Sequence, residues 1–127
     1  MSQPRFLSVA DVELLHGHGL DAFGGLHGIR DEGLLESAVM QAQHDFAYGR
    51  VDVFGIAAAY AFHIAQNQPF IDGNKRAAIM SALAFLKVNG IDKVVPWQTI
   101  YDAMIAIAEK RMNKAELAQL FRGLFQK

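Results

Sequence analysis

The sequence predicts an all-α protein, one domain over residues 1–127 in which about six helices pack around two central helices joined by the 68–73 loop. Three observations predict this class. Apolar residues recur at helical spacing in one segment after another. Cap residues stand where those segments begin and end. Apolar residues make up 52% of 127 and charged residues 20%, enough for one sizeable core and too apolar for a disordered chain.

Ser8-Val9-Ala10-Asp11 matches a capping box, and Leu14 and Leu15 continue an apolar face until Gly17 and Gly19 are expected to end the first helix. Residues 17–29 hold five glycines without periodicity and read as a loop. Asp31 caps a second helix through Leu34, Leu35, Ala38, Val39 and Ala42. Residues 43–50 break that period and mix aromatic with polar side chains, so they read as an ordered loop or short hairpin. A helix from about Val53 to Asn67 is apolar nearly all round, the mark of a buried central element. Pro69 disfavours helical backbone at Gln68 and stops it. A second apolar helix runs from Asn74 through Ile79, Leu83 and Leu86 to a stop at Asn89-Gly90. Pro96 fits the first turn of a helix through Ile100, Met104 and Ile107. Asn113, with Glu116 three residues on, starts the last helix through Leu117, Leu120, Phe121 and Phe125.

The net charge of −1 gives no global pull toward nucleic acid, but its distribution is uneven. Residues 1–67 hold three cations against eight carboxylates, residues 68–127 nine against five. A positive site inside a near-neutral protein is therefore expected. No cysteine is present, which excludes disulfides and thiolate chemistry. The first residues, Met1-Ser2-Gln3-Pro4-Arg5, are not expected to begin a signal peptide, and the longest apolar run (55–65) is about half the ~20 residues a membrane span needs. A soluble cytoplasmic protein is the expectation. With no helix-turn-helix pattern or basic face, direct DNA binding by this chain is not expected.

The chemistry concentrates in Gln68-Pro69-Phe70-Ile71-Asp72-Gly73-Asn74-Lys75-Arg76. Gly73 frees the backbone for positive φ, and Asn74 tolerates it. The following helix points its free N–H groups and positive dipole end at this turn. Lys75 and Arg76 stand where the dipole disfavours cations, which suggests a phosphate between them and the helix. Asp72 beside phosphates suits Mg²⁺, and Phe70 anchors the turn in the core. Each residue also has an ordinary reading: a turn dipeptide, a helix cap, solvated cations.

Phe70-x-Asp72-Gly73-Asn74-Lys75-Arg76 resembles the signature loop of the Fic/Doc family, in the Asn-Lys-Arg form of its Doc branch. Residues 25–38, the helix end Ala65-Gln66-Asn67 and residues 82–90 are similar to Doc-type sequences as well. The resemblance implies an all-α toxin of a toxin–antitoxin module, neutralised by a Phd-like antitoxin that itself binds the operator. It implies a kinase that moves the γ-phosphate of ATP to elongation factor Tu and blocks translation. It places Mg²⁺ at Asp72, the phosphates at Gly73, Asn74, Lys75 and Arg76, and a target-docking flap at 43–50.

One position departs from the family pattern. The motif begins with histidine, the base for the target hydroxyl, and this chain has Gln68. An amide does not titrate near neutral pH. No nearby histidine is an evident substitute: His63 lies in an apolar helix, His44 in the 43–50 segment, and His16 and His18 do not share a helix face. The expectation is a preserved binding site with little or no activity. The competing readings are AMP transfer, which Lys75 disfavours because AMP-transferring relatives carry glycine there, and a non-catalytic nucleotide- or antitoxin-binding module.

Overall fold

Six helices form among the described residues: α1 (Val9–Phe23), α2 (Glu32–Gly49), α3 (Val53–Asn67), α4 (Asn74–Val88), α5 (Trp97–Ala108) and α6 (Lys114–Phe125). The structure, a computed structural model, describes residues 3–126. Met1 and Ser2, on which part of the signal-peptide reading falls, lie outside the described residues. No strand forms among the described residues; an isolated antiparallel bridge joins Ile29 and Phe70.

Helix α3 is the axis. It packs against α2, α4, α5 and α6, and Ala57, Ala58, Ala59 and Ala61 are fully buried along it. Small side chains let four helices approach one, while Ile56, Tyr60 and Ile64 supply the volume between them. The Tyr60 hydroxyl is satisfied inside the core by the Leu7 backbone, accepting from its N–H at 2.8 Å and donating to its carbonyl at 3.3 Å. Helix α4, with Ala78, Ile79, Ala82, Phe85 and Leu86 fully buried, is the second central element. The two are joined through the 68–73 segment.

The capping signals hold. Ser8 and Asp11 form the reciprocal box of α1, Asn113 and Glu116 that of α6, and Asp31 accepts from the Leu34 N–H. Pro96 sits one position earlier than expected, as the residue flanking α5, which begins at Trp97.

Two element boundaries differ from the sequence expectation. α1 does not end at Gly17–Gly19 but continues to Phe23, and Gly24 at φ 84° is the residue that stops it. Gly19 is buried against α4: a Cβ there would stand 3.2 Å from Met80 Sδ. The glycine permits close helix packing, and that packing outweighs its weak helix propensity. Residues 43–50 are neither loop nor hairpin, because α2 continues through Gly49 to a left-handed Arg50 at φ 51°. Three contacts with helical spacing or from outside hold this stretch. Gln41 donates to Asp45 one turn on (2.9 Å), the rings of His44 and Tyr48 meet at 4.6 Å, and Phe46 lies edge-on to Phe6 at 5.8 Å. Two pairs one turn apart within α2 and one tertiary partner, Phe6, stand in for the missing periodicity.

Candidate phosphate-binding site at the start of helix 4

Gln68 ends α3 in the left-handed region, at φ 48° and ψ 58°. A non-glycine residue there costs about 1 kcal/mol or more and persists when its surroundings fix it. Arg30 does so. Its Nε donates to the Gln68 carbonyl (2.8 Å) and a terminal guanidinium nitrogen to the Asn67 carbonyl (2.7 Å). The backbone N–H groups of Arg30 and Asp31 both donate to the Pro69 carbonyl, at 2.7 and 3.1 Å. The 28–31 segment thus splints the turn along one edge, and its guanidinium covers the carbonyl end of α3, where a cation is favoured.

Phe70 is buried, and the His16 ring lies flat against it, centroids 3.7 Å apart and planes within 5°. His16 Nε2 is 2.7 Å from the Asp72 carbonyl; that oxygen can only accept, so Nε2 carries the hydrogen. One α1 histidine therefore fixes both the apolar anchor and the backbone of the loop. Asn74 closes the turn from the other side, its amide oxygen accepting from the Phe70 N–H (2.9 Å) and its amide nitrogen donating to the Phe70 carbonyl (3.0 Å).

The Asp72 carboxylate accepts from the backbone N–H groups of Leu26 (3.1 Å) and Gly73 (2.9 Å). These hydrogen bonds, with Arg76 nearby, hold its pKa below the usual carboxylate range, so it is ionised at neutral pH. Gly25 permits this approach, since a Cβ there would stand 2.9 Å from the carboxylate. Gly73 adopts φ 76° at the start of α4 and brings no side chain to cap the helix. The N–H groups of its first turn are left to whatever occupies the space in front of them.

That space is a cavity of about 300 Å³ lined by Asp72, Gly73, Asn74, Lys75 and Arg76 together with Phe23, Trp97 and Tyr101. Among the described residues neither Lys75 nor Arg76 forms an ion pair. Arg76 is nonetheless fixed: it donates to the Gly24 carbonyl at 3.1 Å, and its guanidinium lies 5.1 Å from the centroid of Phe23. Two cations, uncapped helix amides and one ionised carboxylate converge on a single open cavity. Such a site can hold an anion, with a hard cation alongside it.

Residues 6–86 match the family described as Fic/DOC. The chain belongs to the Fic/Doc family. It is similar to the protein kinase doc of Escherichia phage P1, 31% identical over 122 residues, 95% of this chain and 96% of that one. It is also similar to the toxin Doc of Mycolicibacterium smegmatis, 39% identical over 100 residues, 76% of this chain and 71% of that one.

Of the residues singled out from the sequence, the cavity gathers Asp72, Gly73, Asn74, Lys75 and Arg76. Phe70 lies beneath it in the core, and Gln68 is an exposed residue outside its lining. Sequence reasoning missed Arg30, His16 and the aromatic side of the cavity. His16 had a signal: it stands one turn after Val12 and one before Leu20, both buried, once α1 is allowed to run through Gly19.

Away from this cavity, His63 lies on α3 beside Lys114 and Asp45. Lys114 Nζ donates to Asp45 at 2.6 Å and to His63 Nε2 at 3.1 Å. Burial, then the Lys114 charge, pushes His63 down to about 4, so it is a neutral acceptor. Burial pushes Asp45 up, but hydrogen bonds from Lys114 and Gln41 outweigh it and hold the carboxyl below its ordinary range.

Proposed function

We propose that this chain is a Doc-type toxin of a toxin–antitoxin module, acting in the cytoplasm and held in check by a small antitoxin that, rather than this chain, contacts DNA. In the form with histidine at position 68 it is a kinase that transfers the γ-phosphate of ATP to a hydroxyl of elongation factor Tu and stops translation. The observation that carries this is the cavity in front of α4, where Lys75 has no counter-ion among the described residues and the helix start has no cap. The names of the two relatives, a protein kinase and a toxin, support the same reading.

The residues fit ATP with Mg²⁺. Asp72 is ionised, and each of its oxygens accepts one N–H and keeps lone-pair capacity for a hard cation. When bound, Mg²⁺ neutralises phosphate charge. Lys75 and the amides of Asn74, Lys75 and Arg76 hold the phosphates. Arg76, braced by Phe23 and Gly24, offers its charge where the transferring group sits. Asn74 has its amide committed to Phe70 and serves by shaping the turn.

Transfer joins the target oxygen to the γ-phosphorus as the bond to the β–γ bridging oxygen breaks and ADP leaves. The hydroxyl proton needs an acceptor. Gln68 cannot be one, and loss of a positioned base typically slows such a step by ~10²–10⁴-fold. Phosphoryl transfer rests mainly on positioning and charge, so nucleotide binding persists in this chain.

The test is Gln68→His, incubated with ATP, Mg²⁺ and elongation factor Tu and read by intact mass. A gain of one phosphate on the target, far faster than with the unchanged chain, is expected. A gain of AMP instead identifies an AMP-transferring enzyme. No modification by either protein, with ATP still bound, identifies a binding module, the reading that Gln68 itself favours.

A further inference from the structure

We propose that Trp97 and Tyr101 form a stacking subsite for the base of the nucleotide whose phosphates occupy the Asp72–Arg76 end of the cavity. The inference rests on the nucleotide reading above and assigns the half of the site that recognises the ring. The two residues stand one turn apart on α5, so their side chains project from one face, and both line the cavity in front of α4. The cavity is thus divided. Its polar end comes from α4 and its aromatic wall from α5, an element outside the 68–76 turn.

The fold uses this wall only in part: Tyr101 is half-buried and packed against the core, whereas Trp97 is not. Trp97, the sole tryptophan, is 39% exposed and is not among the side chains packed on the core. Among the described residues its indole has no hydrogen-bond or ring partner, and the Tyr101 hydroxyl likewise has no partner. Phe23, the third ring in the lining, is already engaged by the Arg76 guanidinium. That leaves Trp97 as the exposed aromatic surface of the cavity, with the half-buried Tyr101 beside it. An aromatic platform beside cations is the arrangement that binds a nucleotide by stacking its base while its phosphates are held electrostatically.

Because Trp97 is the sole tryptophan, its fluorescence reports on this subsite alone. The full chain is titrated, with Mg²⁺ present, with ATP and with inorganic tripolyphosphate, each followed by fluorescence and by calorimetry. ATP is expected to quench Trp97 and to bind roughly 5- to 100-fold more tightly than tripolyphosphate, the range that stacking of one base supplies. Trp97→Leu and Tyr101→Leu, followed by calorimetry, are expected to weaken ATP by a like factor and leave tripolyphosphate unchanged. Equal affinity for ATP and tripolyphosphate in the unchanged chain, or unchanged ATP affinity in Trp97→Leu, overturns the subsite while the phosphate site stands. If neither ligand binds, the phosphate reading itself falls and takes the subsite with it. Should a variant not fold, the comparison of the two ligands in the unchanged chain decides alone.

Discussion

Two helices of this protein begin with a lysine in the first turn, and the protein treats them oppositely. Lys114 opens α6 behind a complete Asn113–Glu116 capping box and is consumed internally, by Asp45 at 2.6 Å and His63 at 3.1 Å. Lys75 opens α4 behind a glycine with no cap, beside a cavity of about 300 Å³, with no counter-ion among the described residues. In both places the helix dipole disfavours the cation. At α6 the fold supplies the compensating carboxylate; at α4 no described side chain does, and the proposed phosphate would take that role. A basic residue at a helix start therefore indicates a binding site when the fold has left both it and the helix amides unsatisfied.

The sharpest way to break this contrast is Lys75→Ala. Loss of one charge-assisted contact to phosphate is expected to weaken binding of ATP or tripolyphosphate roughly 10- to 100-fold. The melting temperature should hold or rise slightly, because a cation leaves the positive end of a helix dipole. Calorimetry and thermal denaturation of the same sample measure both. A large fall in stability with unchanged affinity would make Lys75 an ordinary structural residue.

Lys114→Ala should give the mirror image. Asp45 and Lys114 are only 15% and 32% exposed at their side chains, so removing the lysine strands a carboxylate in a partly desolvated seam. The expected cost lies between that of surface and buried pairs, about 1–2 kcal/mol, with phosphate affinity unchanged. Asn113→Ala removes the cap alone and is expected to cost about 1 kcal/mol by denaturant titration. An effect of either variant on tripolyphosphate binding would erase the distinction between the two helix starts.

The same contrast explains what the sequence could disclose. The central helices, the two capping boxes and the 68–76 turn were legible because each depends on residues close together in the chain. Gly17 and Gly19 suggested an end to α1 because helix propensity is local, whereas Met80 packed over Gly19 is not. Residues 43–50 read as a break because their pattern is local, whereas Phe6 and Lys114, the latter sixty-nine residues from Asp45, help hold that turn of α2 from outside it. The site followed the same rule. Asp72 to Arg76, which line the cavity, are neighbours in the chain and could be picked out together, whereas Arg30, His16 and the α5 aromatics are brought in from other elements and could not. Only the close packing of α1 on α4 carries His16 to Phe70.

His63 gives the smallest effect at neutral pH and the clearest sign. Its pKa is pushed from the ordinary 6.5 down to about 4 in the folded protein, by burial first and by Lys114 second. Between those values the unfolded chain takes up the proton and the folded one does not, so the unfolded state gains stability as pH falls. The protein is therefore expected to lose stability as pH drops from 6.5 toward 4, and the loss should level off below about 4 as far as this residue is concerned. The depressed Asp45 acts in the same direction but only at still lower pH, where its carboxyl protonates. His63→Gln keeps an oxygen acceptor for the Lys114 ammonium and removes the titration. Compared with the unchanged chain, it should melt at nearly the same temperature at pH 7.5 and at a higher one at pH 5, since the other histidines contribute equally to both. Parallel melting curves across that range would mean that His63 is freely protonated, and that the α6 lysine is not sealed as the contrast with α4 requires.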